Sequence, residues 1–371
     1  MSRPDSVAAI SVSTQFENVG DAWLHRELIR LARERATTWV DASRCPDDFA
    51  ASLALDGPPA AVRVDGVLAL VVRMLAHRLR GGVVTFFLGP GGYHGELRGR
   101  ALLRAWIATA VLAVLRVAGV RCCLIGTSYD RIGPRQRQVL RLRGRLLAQH
   151  LVRDEASRAV ARGIGMRVDG VIPDLSWATP PRGHATPTGE TVAMAFRGDQ
   201  WPDQPAAILR FARALVEATD PGIAWRVVAQ VERDVPLAHA LADAIVATGR
   251  TASVEEVHHD LDQAAASYAG CSHVIGNRLH ALLLGVHAGC APLAFVDVHH
   301  NAKIVGSFAD LGWSDRIVPF EALDAPERVA ERMGRPFDAR PVVAAQRERI
   351  QRSFDALLGT PAKRQTTADD D

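Results

Sequence analysis

The chain has 371 residues, 48% of them hydrophobic and 23% charged, with a formal net charge of +3. That length exceeds what one small core needs and suits two domains of ordinary size. The near-balanced charge excludes a dedicated nucleic-acid binder, which carries a strong basic excess.

The first residues, MSRPDSVAAISVSTQF, lack the long apolar core of a secretion signal. AAISVS reads as a strand, and DAWLHRELIRLARER after it has helical spacing. VVTFFLG is a second strand-like run and leads into Gly-Pro-Gly-Gly, which reads as a turn. LLRAWIATAVLAVLRVAG predicts a helix closed by Gly119. Its most apolar part, Ala105 to Leu115 between Arg104 and Arg116, is too short to cross a bilayer and predicts a buried helix. VRCCLIGTS is a further strand, and the strand–helix alternation predicts a parallel sheet with helices on both faces.

The rhythm breaks at WATPPRGHATPTGE, residues 177–190, whose prolines, glycines and threonines predict a linker. It then restarts. TVAMAFRG, AWRVVAQV, SHVIG and APLAFVDV read as strands. PAAILRFARALVEATD, VPLAHALADAIVATG, LDQAAASYAG and RLHALLLGVHAG read as helices. The fold class expected is α/β, with two Rossmann-like domains facing a cleft. The boundaries are 1–183 for the first domain, on the acceptor side, and 184–335 for the second, on the donor side. A helix within 336–359 is expected to pack back on the first half, and 360–371, including TPAKRQTTADDD, reads as a disordered tail.

Five cysteines, Cys45, Cys122, Cys123, Cys271 and Cys290, show no C-x-x-C spacing and predict a reducing compartment and a cytoplasmic location. The pairs in VHHD (257–260) and DVHHN (297–301) suggest a metal. Adjacent side chains on extended backbone diverge, however, and no zinc-type spacing occurs, so no metal is expected. RIGPRQRQVLRLRGRLLAQHLVR, residues 131–153, reads as a solvated helix face. Its functional alternative is a surface for anionic lipid head groups or an acidic glycan, which would make the protein peripheral to the inner face of the membrane.

In doubly wound sheets, ligands bind beyond the carboxyl ends of the strands. The polar residues there are Asn18, Gly20 and Asp21, then Gly91 and Gly92, then Ser128. Arg153 with Asp154 follows, then Asp174, Arg197, Asn277 with Arg278 and His280, and finally His300 and Lys303. Asp21 and Asp154 could equally cap helices, and the glycines could simply turn the chain. Arg278 and His280 carry the sharpest signal. They stand where a helix begins, and cations do not suit a positive helix end unless an anion shares the place. The structural alternative is an Arg278 paired with an acid of the other half and a His280 satisfied in the core.

Together these motifs resemble the polysaccharide pyruvyl transferase family. The resemblance rests on NVGDAW, LGPGGYHG, GTSYDRIGP, VRDEASRAVARGIGMRV, PDLSW and the long block YAGCSHVIGNRLHALLLGVHAGCAPLAFVDVHHNAKIVGSFADLG, and covers most of residues 8–320. It implies a fold similar to the two-domain glycosyltransferase-B arrangement. It also implies transfer of the pyruvyl group of phosphoenolpyruvate onto a saccharide, free or lipid-linked, with phosphate released and no cofactor, in cell-surface or exopolysaccharide synthesis. The family's Arg-Leu-His motif falls on Arg278 and His280, the downstream cation on Lys303, and the Arg-Asp-x-x-Ser block on Arg153. Arg153, Arg278 and Lys303 would then neutralise the donor. His280 would protonate the methylene carbon, and Asp21 or Asp154 would take the hydroxyl proton. Two other readings stay open: a nucleotide-sugar-dependent glycosyltransferase of the same fold, and a non-catalytic binding protein of a glycan assembly complex.

Overall fold

The computed structural model describes residues 6–180, 191–297, 301–320 and 326–360. The first half alternates β1 (Ser6–Ser11), α1 (Val19–Arg33), β2 (Thr37–Asp41), α2 (Asp47–Ser52), β3 (Val62–Arg63), α3 (Val67–Leu79), β4 (Val83–Leu88) and β5 (Gly91–Gly95). It continues with α4 (Gly99–Val117), β6 (Arg121–Ile132), α5 (Pro134–Leu146), β7 (Gln149–Val152), α6 (Glu155–Gly163) and β8 (Gly170–Val171). The second half begins with β9 (Thr191–Ala195), α7 (Gln204–Glu217), β10 (Ala224–Ala229), α8 (Val235–Val246), β11 (Ala252–Glu256) and α9 (Leu261–Ala266). There follow β12 (His273–Gly276), α10 (Leu279–His287), β13 (Ala291–Val296), α11 (Ala302–Asp310), β14 (Ile317–Pro319), α12 (Pro326–Met333) and α13 (Arg340–Leu358).

One sheet runs β3-β2-β1-β4-β6-β7-β8, the other β11-β10-β9-β12-β13-β14, and the strand pairs are parallel. Continuous apolar runs form these strands because helices cover both faces. Ala8 and Ile10 of β1 face one core, with Phe87 and Ile125, while Val7 and Ala9 face another, with Val84 and Leu124. In each sheet the order reverses beside the first strand, at β1/β4 and at β9/β12. Those switch points open a crevice at the strand ends.

The first core cluster crosses between the halves, joining α1 to α9 and α10. Helix α13 lies on the first half, where Phe354 stacks on Phe87 with ring centroids 6.0 Å apart. The nearly sealed Arg35 of the first half holds Asp355 at 2.8 Å. The expected domain boundary at 183/184 and all of the expected 360–371 tail but its first residue lie outside the described residues.

Two expectations need correction. Gly91–Gly95 is not a turn but a short strand that continues along β6 where β4 leaves off, Gly92 opposite Ser128. Helix α4 is not buried. Thr109, Leu112 and Leu115 are its only buried residues, and its solvent side is apolar as well. No helix among the described residues is long and apolar enough to cross a membrane.

Candidate functional site

The two switch points face each other across a cleft of about 920 Å³. Asn18, Asp21, Gly91, Gly92, Ser128, Arg153, Arg197, Asn277, Arg278, His280 and Lys303 all line it. His300 lies outside the described residues. At the base of the cleft Asn18 forms an isolated antiparallel bridge with Val231 of the second half.

On the first half, the turn after β1 starts α1. Asn18, not Asp21, is the cap, its side-chain oxygen accepting from Gly20 N–H at 3.0 Å. That leaves the Asp21 carboxylate in the cleft, where it accepts from the Thr14 hydroxyl at 2.5 Å. Gly20 does not line the cleft. It backs the imidazole of His280, and a Cβ there would fall 2.1 Å from Nδ1. Gly92 plays a comparable part. A Cβ on it would meet Lys303 Nζ at 2.6 Å and Ser128 Oγ at 3.1 Å, so glycine is what lets the second half's ammonium reach the first half's strand.

Beyond β7, Asp154 caps α6 by accepting from Ser157 N–H at 2.7 Å, which leaves Arg153 at the strand end. Arg153 is buried. Its Nη1 donates to Asp174 at 3.3 Å, and its Nε lies 3.5 Å from Asp154. Among the described residues its Nη2 is buried without a partner, as is the Ser128 hydroxyl. Burial pushes the Asp174 carboxyl up, but first the His280 ring and then the Arg153 guanidinium outweigh it and hold it well below the usual range. His280 Nε2 lies 3.6 Å from Asp174, a distance of charge attraction rather than of a hydrogen bond. Nε2 is enclosed and turned to that carboxylate, while Nδ1 packs against Gly20.

The second half departs from the expected chemistry. Arg278 is the N-cap residue of α10 and cannot cap it through its side chain. Its guanidinium is not an open anion grip, because Nε and Nη2 donate to both oxygens of Asp234 at 2.7 and 2.6 Å. The acid comes from its own half, not from the opposite one. Asn277 is likewise engaged, accepting from Arg197 N–H at 2.7 Å and donating to Arg197 C=O at 3.0 Å. It joins the two loops at the second switch point. Arg197 donates to Asp199 at 2.5 Å, and Arg233 approaches the same carboxylate at 3.6 Å.

Lys303 is different. It enters the cleft from α11 with no ion-pair partner among the described residues. Burial and then the nearby Arg153 push its ammonium down to about 8, against weaker opposing pulls from Asp130, Asp21 and Asp154. The cationic N–H groups left without a partner among the described residues are therefore those of Lys303 and Nη2 of Arg153, one from each half. Among the described residues no His, Cys, Asp or Glu side chains group as metal ligands. Asp234 and Asp199 went unnoticed in the sequence. The only signal was an acid following a strand end, in VERDVPL and AFRGDQ.

The family model for polysaccharide pyruvyl transferases matches residues 29–299. No curated protein sequence matches the chain. Among solved structures, a candidate UDP-N-acetylglucosamine 2-epimerase from Listeria monocytogenes superposes with a TM-score of 0.58 at 11% identity, over 96% of each chain. LpCGTa in complex with UDP gives 0.52 at 13% identity, over 96% of this chain and 98% of that one. OtsA gives 0.52 at 12%, over 96% and 99%. At such identities the likeness is one of fold, the two-domain glycosyltransferase-B arrangement.

Proposed function

The chain belongs to the polysaccharide pyruvyl transferase family, and we propose that it moves the pyruvyl group of phosphoenolpyruvate onto a saccharide in the interdomain cleft, in the synthesis of a cell-surface or exported polysaccharide. One observation carries this reading: Lys303 and the free edge of Arg153 meet from opposite halves beside the unbonded Ser128 hydroxyl. A buried donor without an acceptor costs free energy, and a small, highly charged anion would satisfy all three. Phosphoenolpyruvate, with a phosphate and a carboxylate on three carbons, has that charge and that size.

The chemistry then follows from His280. The ring, which lines the cleft, protonates the methylene carbon, and Asp174 beside Nε2 steadies the imidazolium. Protonation leaves an electron-poor carbon beside the carboxylate. One saccharide hydroxyl adds to that carbon and passes its proton to Asp21, the carboxylate already in the cleft. Phosphate departs with its bonding pair and takes up the proton held by Asp21, and a second hydroxyl closes the ketal and returns its proton to the neutral His280 ring. Arg278, matched by Asp234, acts as scaffold: it holds the start of α10, and with it His280, in place.

The test uses the purified chain with phosphoenolpyruvate and a panel of saccharides, free and lipid-linked. Phosphate release that requires both, with a ketal methyl signal in the product, is the expected result. Release of nucleoside diphosphate from nucleotide sugars, with phosphoenolpyruvate inert, would replace the proposal with glycosyl transfer.

A further inference from the structure

Helices α3, α4 and α5 lie on one face of the first sheet, where Leu70, Met74, Leu112, Leu115 and Leu146 pack on it. Their outer side is unlike the rest of the surface. On α4, Leu103, Ile107, Val111 and Val114 are all exposed and recur at helical spacing, a second apolar stripe opposite the buried one. A helix that is apolar all round is ordinarily enclosed. The patch also runs on to α3. Arg78 near the end of α3 donates to Ala118 C=O at 3.4 Å, just past the end of α4. Leu79 and Val117, each 89% exposed, stand at that seam.

The charge on this layer is equally one-sided. The three helices contain ten arginines and no aspartate or glutamate, in a chain whose net charge is only +3. The remainder of the molecule is therefore net acidic. Arg100, Arg104 and Arg116 are exposed on α4 itself, and Arg135 is exposed on α5.

We infer that this face docks on an anionic lipid surface. An apolar stripe flanked by arginines is what an interfacial element presents, with its aliphatic side chains in the acyl boundary and guanidinium groups at the phosphate level. A second copy fits poorly, because a symmetric pairing would set arginines against arginines with no acid between them. The face also reaches the cleft. Arg143 of α5 donates to Ala105 C=O of α4 at 2.9 Å and to the hydroxyl of Tyr93, a cleft residue, at 3.4 Å. A membrane held there would lie beside the cleft rim, where an acceptor carried on a lipid would be presented. The docking inference does not depend on which donor the cleft takes.

Flotation tests it, using the full chain with vesicles of phosphatidylcholine alone and of phosphatidylcholine with a quarter phosphatidylglycerol. The variant is Leu103→Asn, Ile107→Asn and Val114→Asn combined, three solvent-side changes far from the cleft chemistry. The chain should float with the anionic vesicles, less so as salt screens the arginines. The triple variant should bind at least about ten-fold more weakly, with unchanged melting and unchanged turnover on a soluble acceptor. Absence of binding to either vesicle, or equal binding by the variant, overturns the inference. So does a dimer in solution that the variant dissociates while neither protein floats, which would assign the face to a second copy.

Discussion

Lys303→Met separates charge from structure at the centre of the cleft. The Lys303 ammonium is pushed from 10.5 down to about 8, first by burial and then by Arg153. At about 1.4 kcal/mol per tenfold change in proton affinity, that fall caps the free-energy cost of holding the charge there at roughly 3 kcal/mol. Methionine has a similar length and no charge to desolvate, so the variant should be more stable by about 1–3 kcal/mol in urea unfolding at neutral pH. The pH dependence fixes the sign. Between about 8 and 10.5 the folded lysine binds fewer protons than the unfolded one, so the penalty is complete below about 8 and fades as pH rises through that interval. The stability gap between variant and parent should narrow over the same interval. Phosphoenolpyruvate should raise the melting temperature of the parent and not of the variant. A Lys303→Met protein less stable than its parent at neutral pH, or equally protected by phosphoenolpyruvate, would show that this charge is already matched and is not the donor's receptor.

Three further changes probe the surrounding framework. His280→Gln should lower phosphate release by at least about 100-fold while leaving the unfolding midpoint nearly unchanged; retained turnover would remove His280 from the reaction. Gly20→Ala drives a methyl group into the space of His280 Nδ1. It should lower kcat with little effect on the KM for phosphoenolpyruvate, and should add nothing in a protein already carrying His280→Ala. Asp234→Ala strands the buried Arg278 charge and should cost about 3–5 kcal/mol in urea unfolding, whereas a cost near zero would mean that Arg278 finds another partner.

The strand–helix rhythm was legible because parallel strands buried on both faces appear as unbroken apolar runs, such as VVTFFL and APLAFV. The cleft residues were legible for a related reason: the first polar positions after such runs mark strand ends. What the sequence could not carry was pairing across distance. Nothing near Arg278 announces Asp234, 44 positions earlier. Nothing near Gly20 announces an imidazole 260 positions later. The strand at Gly91–Gly95 depends on β6 continuing past β4, a non-local condition that overrides the turn preference of its glycines. Helix α4 illustrates the same limit, since periodicity describes which sides of a helix are apolar and not what lies against them.

Compensation, rather than the mere presence of charge, distinguishes the cations of this cleft. Arg278 has a carboxylate to itself, and Arg197 and Arg233 share Asp199. Charges so matched hold loops in register and have little left to offer an incoming anion. Lys303 has no such carboxylate among the described residues, and Nη2 of Arg153 has no partner there although Asp174 and Asp154 flank the rest of that guanidinium. Asp174 stands between the two functions, 3.3 Å from Arg153 and 3.6 Å from His280. An anion that draws the Arg153 guanidinium toward itself leaves more of the Asp174 charge to the imidazole. Arg153 and His280 are thereby joined through one buried carboxylate, and the junction exists only when the two halves are in contact, because His280 is the sole member of that trio from the second half.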